Sequence, residues 1–474
     1  MREMPAIDSV RITPELFVIP HAGQFIVYAP LKGVALLANR AFVSKLSRLK
    51  KDDPTEAVPE PAFIDHLLTW GLIEVNGESS FPPLLEPDAF APTDLVILTT
   101  ASCNLRCTYC YASAGERQQP FDSRVAEAAV RFIVENAFAH DVGECGLAFH
   151  GGGEPTLALP FIKHCVKFAR QYARSMASEQ LHIVPSLATN GFLTPQQIDW
   201  LAANMHSIQV SLDGPSDIHN EQRPLVNGRP TFNRVFNTVR RCEELGVPDL
   251  LVKATISNKH VARMAEITRF LCESFRLNRF HLGPVMDVGR SLETGYCEPS
   301  VDEFIAGAEE ARKVAASYGK EIVVSLALET FPNARYTFCG LTDPNFAVTI
   351  EGRVSGCYQV IYADDARSSF FHYGEYDAVG DRFVLDADRV RELRRRDVTH
   401  LSRCRDCFAR WQCAGDCQAR WYDPGTGDEL PDWPDFRCQV NRELVRRELV
   451  RVLETTDGAP TQLKGNFDGS MTCT

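Results

Sequence analysis

No apolar run in this chain approaches the ~20 residues needed to cross a bilayer as a helix. The residues that follow Arg2 also lack the apolar stretch of a secretory signal. Neither a membrane span nor export is expected, and the chain reads as cytoplasmic. A basic excess is missing too: 50 lysines and arginines stand against 62 aspartates and glutamates, a formal net charge of −12. Holding a phosphate backbone requires a basic face, so nucleic acid is not an expected partner. The one basic run, RELRRR at 391–396, reads as a solvated helix face. No tandem repeat is visible. Cysteine, by contrast, is plentiful at 16 residues. In a reducing compartment such thiols point to metal or redox chemistry instead of disulfides.

At 474 residues the chain exceeds what one hydrophobic core usually organises, so two or three domains are expected. Residues 1–80 carry β-rich runs, LFVIP (16–20), FIVYA (25–29) and VALLA (34–38), then helical stretches near 40–49 and 62–70, a small α+β module. A proline-dense linker occupies 81–94. From Leu95 a strand–loop–helix pattern repeats, with strands expected at 95–100, 146–149, 183–188, 207–212, 250–256 and 279–284 and amphipathic helices between them. Six βα units in series favour a parallel sheet curled into a partial barrel over 95–295, with its chemistry at the C-terminal strand ends. A bridging region spans 296–338. Residues 339–440 read as irregular, lacking an ordinary core and relying on metal staples. A charged helix (441–455) and a disordered tail (456–474) complete the organisation.

Directly after the first expected strand, CNLRCTYC spaces Cys103, Cys107 and Cys110 as Cys-x3-Cys-x2-Cys. Three thiolates on a short loop suit a 4Fe-4S cluster with one iron lacking a protein ligand, since a fully protein-held cluster uses four cysteines. A structural zinc site completed from elsewhere is the other reading of the spacing. The segment resembles the signature of radical S-adenosylmethionine (radical SAM) enzymes, and FHGGGEPT (149–156), ATNG (188–191) and SLDG (211–214), each closing an expected strand, resemble further motifs of that family. The resemblance implies a 4Fe-4S cluster on Cys103, Cys107 and Cys110 and S-adenosylmethionine as cofactor. It also implies that Gly152, Gly153 and Glu154 approach the methionine amino group, that Ser211 and Arg223 contact its carboxylate, and that Tyr109 sits beside the adenine. Glycines that let backbone approach closely, a carboxylate for an ammonium and a guanidinium for a carboxylate are chemically sensible partners.

Toward the C-terminus, Cys404, Cys407, Cys413 and Cys417 run as Cys-x2-Cys-x5-Cys-x3-Cys, with Cys339 and Cys357 upstream and Cys438 downstream. Spacing alone also allows zinc. Together with the upstream triad the arrangement resembles the SPASM domain, an auxiliary iron–sulfur domain of peptide- and protein-modifying radical SAM enzymes. By that resemblance Cys404, Cys407, Cys413 and Cys438 hold one auxiliary 4Fe-4S cluster, and Cys339, Cys357 and Cys417 a second. Some relatives have an eighth cysteine just before the first of these; NARYTF (333–338) has none, so an open iron or recruitment of Cys297 is expected. Cys145, Cys165, Cys242 and Cys272 match no ligand spacing and read as packing residues.

The fold expected is thus α/β: a partial (β/α)6 TIM-like barrel between a winged-helix-like α+β module and an irregular iron–sulfur domain. The implied activity is that of a maturase modifying a ribosomally made peptide or protein, docked on residues 1–80 and served by an electron donor such as flavodoxin or ferredoxin. Two alternatives stay open. One is an anaerobic sulfatase maturase forming formylglycine, although relatives of that type place an Asp after the second auxiliary cysteine, where this chain has Tyr358, with Asp364 and Asp365 as substitutes. The other is a non-catalytic electron carrier. No general base is identifiable.

Overall fold

The computed structural model describes residues 10–49, 60–75, 90–115, 117, 119–176, 181–324, 327, 331–339, 345–423, 425–430 and 435–463. Most of the proline-dense linker, the tail beyond 463 and Cys473 lie outside them. The chain opens with β1 (Val10–Ile12), β2 (Phe17–His21), β3 (Gln24–Ala29) and β4 (Val34–Ala38), then α1 (Arg40–Arg48), α2 (Pro61–Thr69) and β5 (Ile73–Val75). β2, β3 and β4 form an antiparallel meander, and β1 pairs with β5. The Asn39 side chain caps α1 by accepting from Phe42 N at 2.9 Å. Leu46 of α1 and Ile64 and Leu67 of α2 cover Val27 and Leu36 of the sheet.

The main sheet begins with β6 (Asp94–Ile97), β7 (Glu144–Phe149), β8 (His182–Thr189), β9 (Ser207–Ser211), β10 (Asp249–Ile256), β11 (Arg279–Pro284) and β12 (Glu321–Val323). All seven are parallel and lie side by side in that order. The six expected strands are among them. Alternation along the strands sends Leu147, Phe149, Val210, Val252, Ala254, Phe280 and Leu282 into the main core shared with the helices that connect the strands. Because every strand points the same way, the loops after β6 to β11 gather along one edge.

Three expectations are corrected. The region from 339 was expected to lack an ordinary core. Instead β13 (Asn345–Val348) lies parallel to β6, and β14 (Arg353–Ser355), β15 (His372–Asp377) and β16 (Arg382–Leu385) continue the same sheet antiparallel, to eleven strands among the described residues. Phe346, Val348, Phe371 and Phe383 belong to the main core. Strands of three to six residues are too short for their alternation to stand out. The tail was expected to be disordered from 456; up to 463 it is packed. β17 (Thr461–Gln462) pairs antiparallel with β4, and Leu463 is buried beside Val445, Leu449 and Leu453 of the helix Asp435–Glu454, which cover Ile19, Ile26 and Tyr28. The first and last segments therefore share one small core. RELRRR is only partly solvated: Arg394 is buried with its guanidinium 5.8 Å from the Phe90 ring centre, and that of Arg396 lies 4.5 Å from the Phe370 ring centre. Among the described residues no helix is long and apolar enough to cross a membrane.

Candidate functional site

The triad loop leaves the end of β6 and is fixed mainly through its backbone. Arg106 N and Thr108 N donate to Pro224 O and Gln222 O at 2.8 and 2.9 Å. The Arg106 guanidinium caps Cys103 O and Leu105 O, and Arg290 Nη1 and Nη2 donate to Cys107 O and Ala114 O at 2.9 and 3.1 Å. Two arginines thus hold the carbonyls of a loop that has no regular structure to satisfy them. Burial pushes the Cys107 thiol up to about 12, opposed by the Arg223 cation, and burial likewise raises Cys103.

The glycines of FHGGGEPT approach this loop. Gly153 N donates to Thr100 O at 2.7 Å and Glu154 N to Ser102 O at 2.8 Å. A Cβ on Gly153 would fall 2.0 Å from Ser102 O, and Gly152, at φ +68°, would put one 2.8 Å from Thr100 O. The close approach is between two backbones, and it seats the residues just ahead of Cys103. Glu154 is buried and stitches the ends of β7 and β8 together: its Oε1 accepts from Thr156 N, Thr156 Oγ1 and Thr189 Oγ1, and its Oε2 accepts from Asn190 N at 2.7 Å. Asn190 Nδ2 in turn reaches Asn104 Oδ1 at 2.8 Å and Cys103 Sγ at 3.8 Å.

Across the mouth, Tyr109 donates to Asp213 Oδ2 at 2.6 Å and accepts from Arg223. Asp213 is fully buried and also accepts from Gln222 Nε2 and Thr255 N, both at short range. Burial raises its carboxyl, against the pull of the Arg223 guanidinium. Tyr109, Glu154 and Arg223 therefore converge on the triad. Ser211 closes β9, one register position across from Lys253. Sequence reasoning missed Arg106, Arg290 and Asp213. Arg290 lies in an irregular segment with no motif, whereas Asp213, inside SLDG, could have been picked out from its place at a strand end.

The C-terminal cysteines form two further groups. Cys404, Cys407, Cys413 and Cys438 line a cavity of about 170 Å³ together with Arg403, Arg410, Asn441 and Arg442. Asn441 Nδ2 donates to Cys413 Sγ at 3.2 Å and to Asp416 Oδ2 at 3.0 Å. Cys357 and Cys417 lie in each other's field; burial, then Cys417, raises the Cys357 thiol to about 12. Between the two groups runs a buried ion pair, Asp416–Arg437, at 2.7 Å, with Arg437 stacked 5.5 Å from the ring centre of Phe338, next to Cys339. Tyr111 feels both Cys110 and Cys357, so the triad and the Cys357 group are neighbours across one ring. Cys297 exchanges backbone and side-chain hydrogen bonds with Asn258. Cys145, Cys165, Cys242 and Cys272 are buried in the main core, as their spacing implied.

Among the described residues no three His, Cys, Asp or Glu side chains converge on one ion-sized point. The four thiols that line the cavity of the Cys404 group are a donor set of the number and type that holds a four-iron cluster or a zinc ion. Arg223 Nε, buried beside Cys103 and Cys107, has no hydrogen-bond partner among the described residues, which leaves it a donor suited to an anionic group.

Residues 97–261 match the family model of the radical SAM superfamily. The chain is 25% identical to the mycofactocin maturase MftC of Mycolicibacterium smegmatis, over 73% of this chain and 83% of that protein. It is 34% identical to a cysteine-type anaerobic sulfatase-maturating enzyme of Clostridium perfringens, over 36% of this chain and 47% of that one. To the sporulation killing factor maturation protein SkfB of Bacillus subtilis it is 24% identical, over 44% of this chain and 46% of that one. The chain thus spans about half the length of the sulfatase-maturating and SkfB relatives. The solved structure of native anSMEcpe with bound AdoMet superposes with a TM-score of 0.61 at 19% identity, over 77% of this chain and 99% of that one, a likeness of fold.

Proposed function

We propose, from a chain whose residues 97–261 form a radical SAM domain, that this protein is an S-adenosylmethionine-dependent maturase that modifies a ribosomally made peptide or protein. The observation that carries the reading is the gathering of Tyr109, Glu154 and Arg223 around Cys103, Cys107 and Cys110, with a buried guanidinium nitrogen left over. In this reading Cys103, Cys107 and Cys110 hold a 4Fe-4S cluster, and the remaining polar groups of the mouth hold S-adenosylmethionine. Such a cluster, bound and reduced, would supply the one electron that cleaves S-adenosylmethionine to methionine and a 5′-deoxyadenosyl radical able to take a hydrogen atom from the substrate.

The chain's own residues position and shield. Arg223 offers Nε to the carboxylate of the cofactor's methionine moiety, while Asp213 and Tyr109 fix its guanidinium. Gly152 and Gly153 hold the triad loop against β7. Glu154 stitches β7 to β8 and keeps capacity on Oε2 for an ammonium. Ser211 joins from the end of β9. Cys404, Cys407, Cys413 and Cys438 hold one auxiliary 4Fe-4S cluster, and Cys339, Cys357 and Cys417 a second, completed by substrate or by Cys297. Residues 1–80 dock the peptide, and a flavodoxin or ferredoxin donates electrons. Relatives named as maturases, MftC and SkfB, support the peptide reading.

The sulfatase-maturase alternative is supported by 34% identity over about half of such an enzyme. Against it, the residue after Cys357 is Tyr358, and both substitute acids are occupied by guanidiniums. Asp364 pairs with both Arg117 nitrogens at 3.1 and 2.7 Å, and Asp365 pairs with Arg367. The test is anaerobic: reconstituted, reduced protein with S-adenosylmethionine is expected to yield 5′-deoxyadenosine, and a pure electron carrier would yield none. A precursor peptide encoded beside the gene should then change mass, whereas conversion of a sulfatase peptide to formylglycine would favour the alternative.

A further inference from the structure

The segment between β11 and the helix Val301–Ser317 grips the triad loop along its backbone. Arg290 N donates to Cys110 O at 3.0 Å, the Arg290 guanidinium to Cys107 O and Ala114 O, and Thr294 Oγ1 to Thr108 O at 2.8 Å. The outward carbonyls of one loop are thus held from a single short stretch, Arg290 to Thr294. Gly289 makes the approach possible: at φ +62°, a Cβ there would fall 2.5 Å from both Cys110 O and Tyr111 O. The segment is also tied to itself. Ser291 Oγ lies 3.0 and 2.9 Å from Met286 O and Val288 O, and Glu298 N donates to Asp287 Oδ1 at 2.7 Å. A displacement at one end is therefore carried to the other.

The far end of this segment is tied to the Cys417 group. Glu298 pairs with Arg420, and the two side chains are only 10% and 5% exposed. Arg420 N donates to Cys417 O at 3.2 Å. Glu298 also lies in the field of Arg437, and Asp416 in that of Arg420. The pairs Glu298–Arg420 and Asp416–Arg437 therefore make one charge network, which runs from the segment to the space between the two C-terminal cysteine groups. Burying ions is costly in desolvation, and apolar side chains of the same volume often serve stability as well or better. What the network supplies instead is a defined position, because an ion that shifts leaves its counter-charge stranded.

We propose that Glu298 is a positioning residue of the triad: through Arg420 it makes the shape of the triad loop depend on whether the group of Cys339, Cys357 and Cys417 is filled. The inference rests on the reading above that both groups hold clusters, and it gives the second a part in readying the first. A filled Cys417 group fixes the backbone from Cys417 to Arg420, Arg420 fixes Glu298, and Glu298 keeps the segment closed on the carbonyls of Cys107, Thr108 and Cys110. An empty group loosens the same series of contacts. Coupling between two sites is reciprocal, so loading of the triad equally favours loading of the Cys417 group.

The test uses the full chain reconstituted with iron and sulfide, and reads hydrogen exchange at the Arg290 amide, whose bond to Cys110 O reports the closed segment. Wild type and the double variant Glu298→Met/Arg420→Met are compared with and without Cys357→Ala, and iron is counted on every sample. The double variant removes the link without stranding a charge. In wild type, Cys357→Ala is expected to remove about four irons and to quicken Arg290 exchange at least about fivefold, the lower end of ordinary coupling between sites. In the double variant the same change is expected to move exchange less than about twofold, since a broken link carries no coupling. Glu298→Asp, which keeps the charge, is expected to keep the coupling. Equal quickening in both backgrounds, or no quickening in wild type despite the loss of iron, overturns the proposal. If Cys357→Ala removes no iron, the second-cluster reading fails by itself. The link is then decided by the double variant alone, which quickens Arg290 exchange about fivefold over wild type if the link holds and leaves it unchanged if it does not.

Discussion

Replacing Asp416 by Asn removes the charge from a fully buried carboxylate that accepts from Cys417 N at 2.6 Å, Arg437 Nε at 2.7 and 2.9 Å and Asn441 Nδ2 at 3.0 Å. Arg437, 18% exposed, is left without its counter-charge. Breaking a buried pair by removing one partner costs about 3–5 kcal/mol, mostly from the charge left behind. The lower figure already corresponds to roughly 150-fold in a local opening constant at 1.4 kcal/mol per tenfold. Arg437 also lies in the field of Cys413 and Cys417. Thiolates held in a cluster would offset part of the loss, so the apo chain should suffer more than the loaded one. Hydrogen exchange at the Cys417 amide, with and without iron, reads both. Adding Arg437→Gln to the Asp416→Asn variant should recover part of the loss, because it withdraws the stranded cation. Additive effects in this cycle, or Asp416→Asn exchange within threefold of wild type in the apo chain, would refute the reasoning.

Cys103→Ala together with Cys107→Ala and Cys110→Ala should remove about four of about twelve irons per chain and abolish 5′-deoxyadenosine formation; unchanged iron would place the cluster elsewhere. Gly153→Ala drives a Cβ onto the Ser102 carbonyl, an overpacking cost of about 1–3 kcal/mol. It should lower triad iron while the Cys404 group stays loaded, checked by iron analysis and Mössbauer spectroscopy. Arg290→Ala uncaps the carbonyls of Cys107 and Ala114, and should speed iron loss to a chelator by about tenfold, with Arg290→Lys in between. His150 and His281, near 4 when folded and about 6.5 unfolded, take up protons first in the unfolded chain. The stability contributed by keeping them neutral is complete above about pH 6.5 and declines as pH falls toward 4, by up to about 1.4 kcal/mol per unit for each ring. Denaturation midpoints at pH 7 and pH 5 should converge in the His281→Gln variant relative to wild type.

Much of the parallel half of the fold was legible because its strands are long enough, at four to eight residues, for alternation and flanking helical periods to show. The candidate triad could be picked out because three thiols at short spacing on one loop are recorded directly in the sequence. β13 to β16 were not legible, because strands of three to six residues among glycines carry too little pattern. The pairing of Thr461–Gln462 with β4 was hidden for another reason: two residues have no periodicity, and only the closure of the chain's two ends gives them a partner.

What the sequence determined by itself is therefore the local chemistry: which thiols can act together, which glycines admit close backbone approach, and which stretches must be strands or helices. Only the tertiary structure decided what those parts face. It turned Gly153 toward Ser102, bound Asp364 and Asp365 to guanidiniums, buried Asp416 with Arg437 and aligned Lys253 with His281 across two strands. Each of these depends on contacts between residues far apart in the chain, whose geometry is fixed by sheet register and packing and leaves no mark in local spacing.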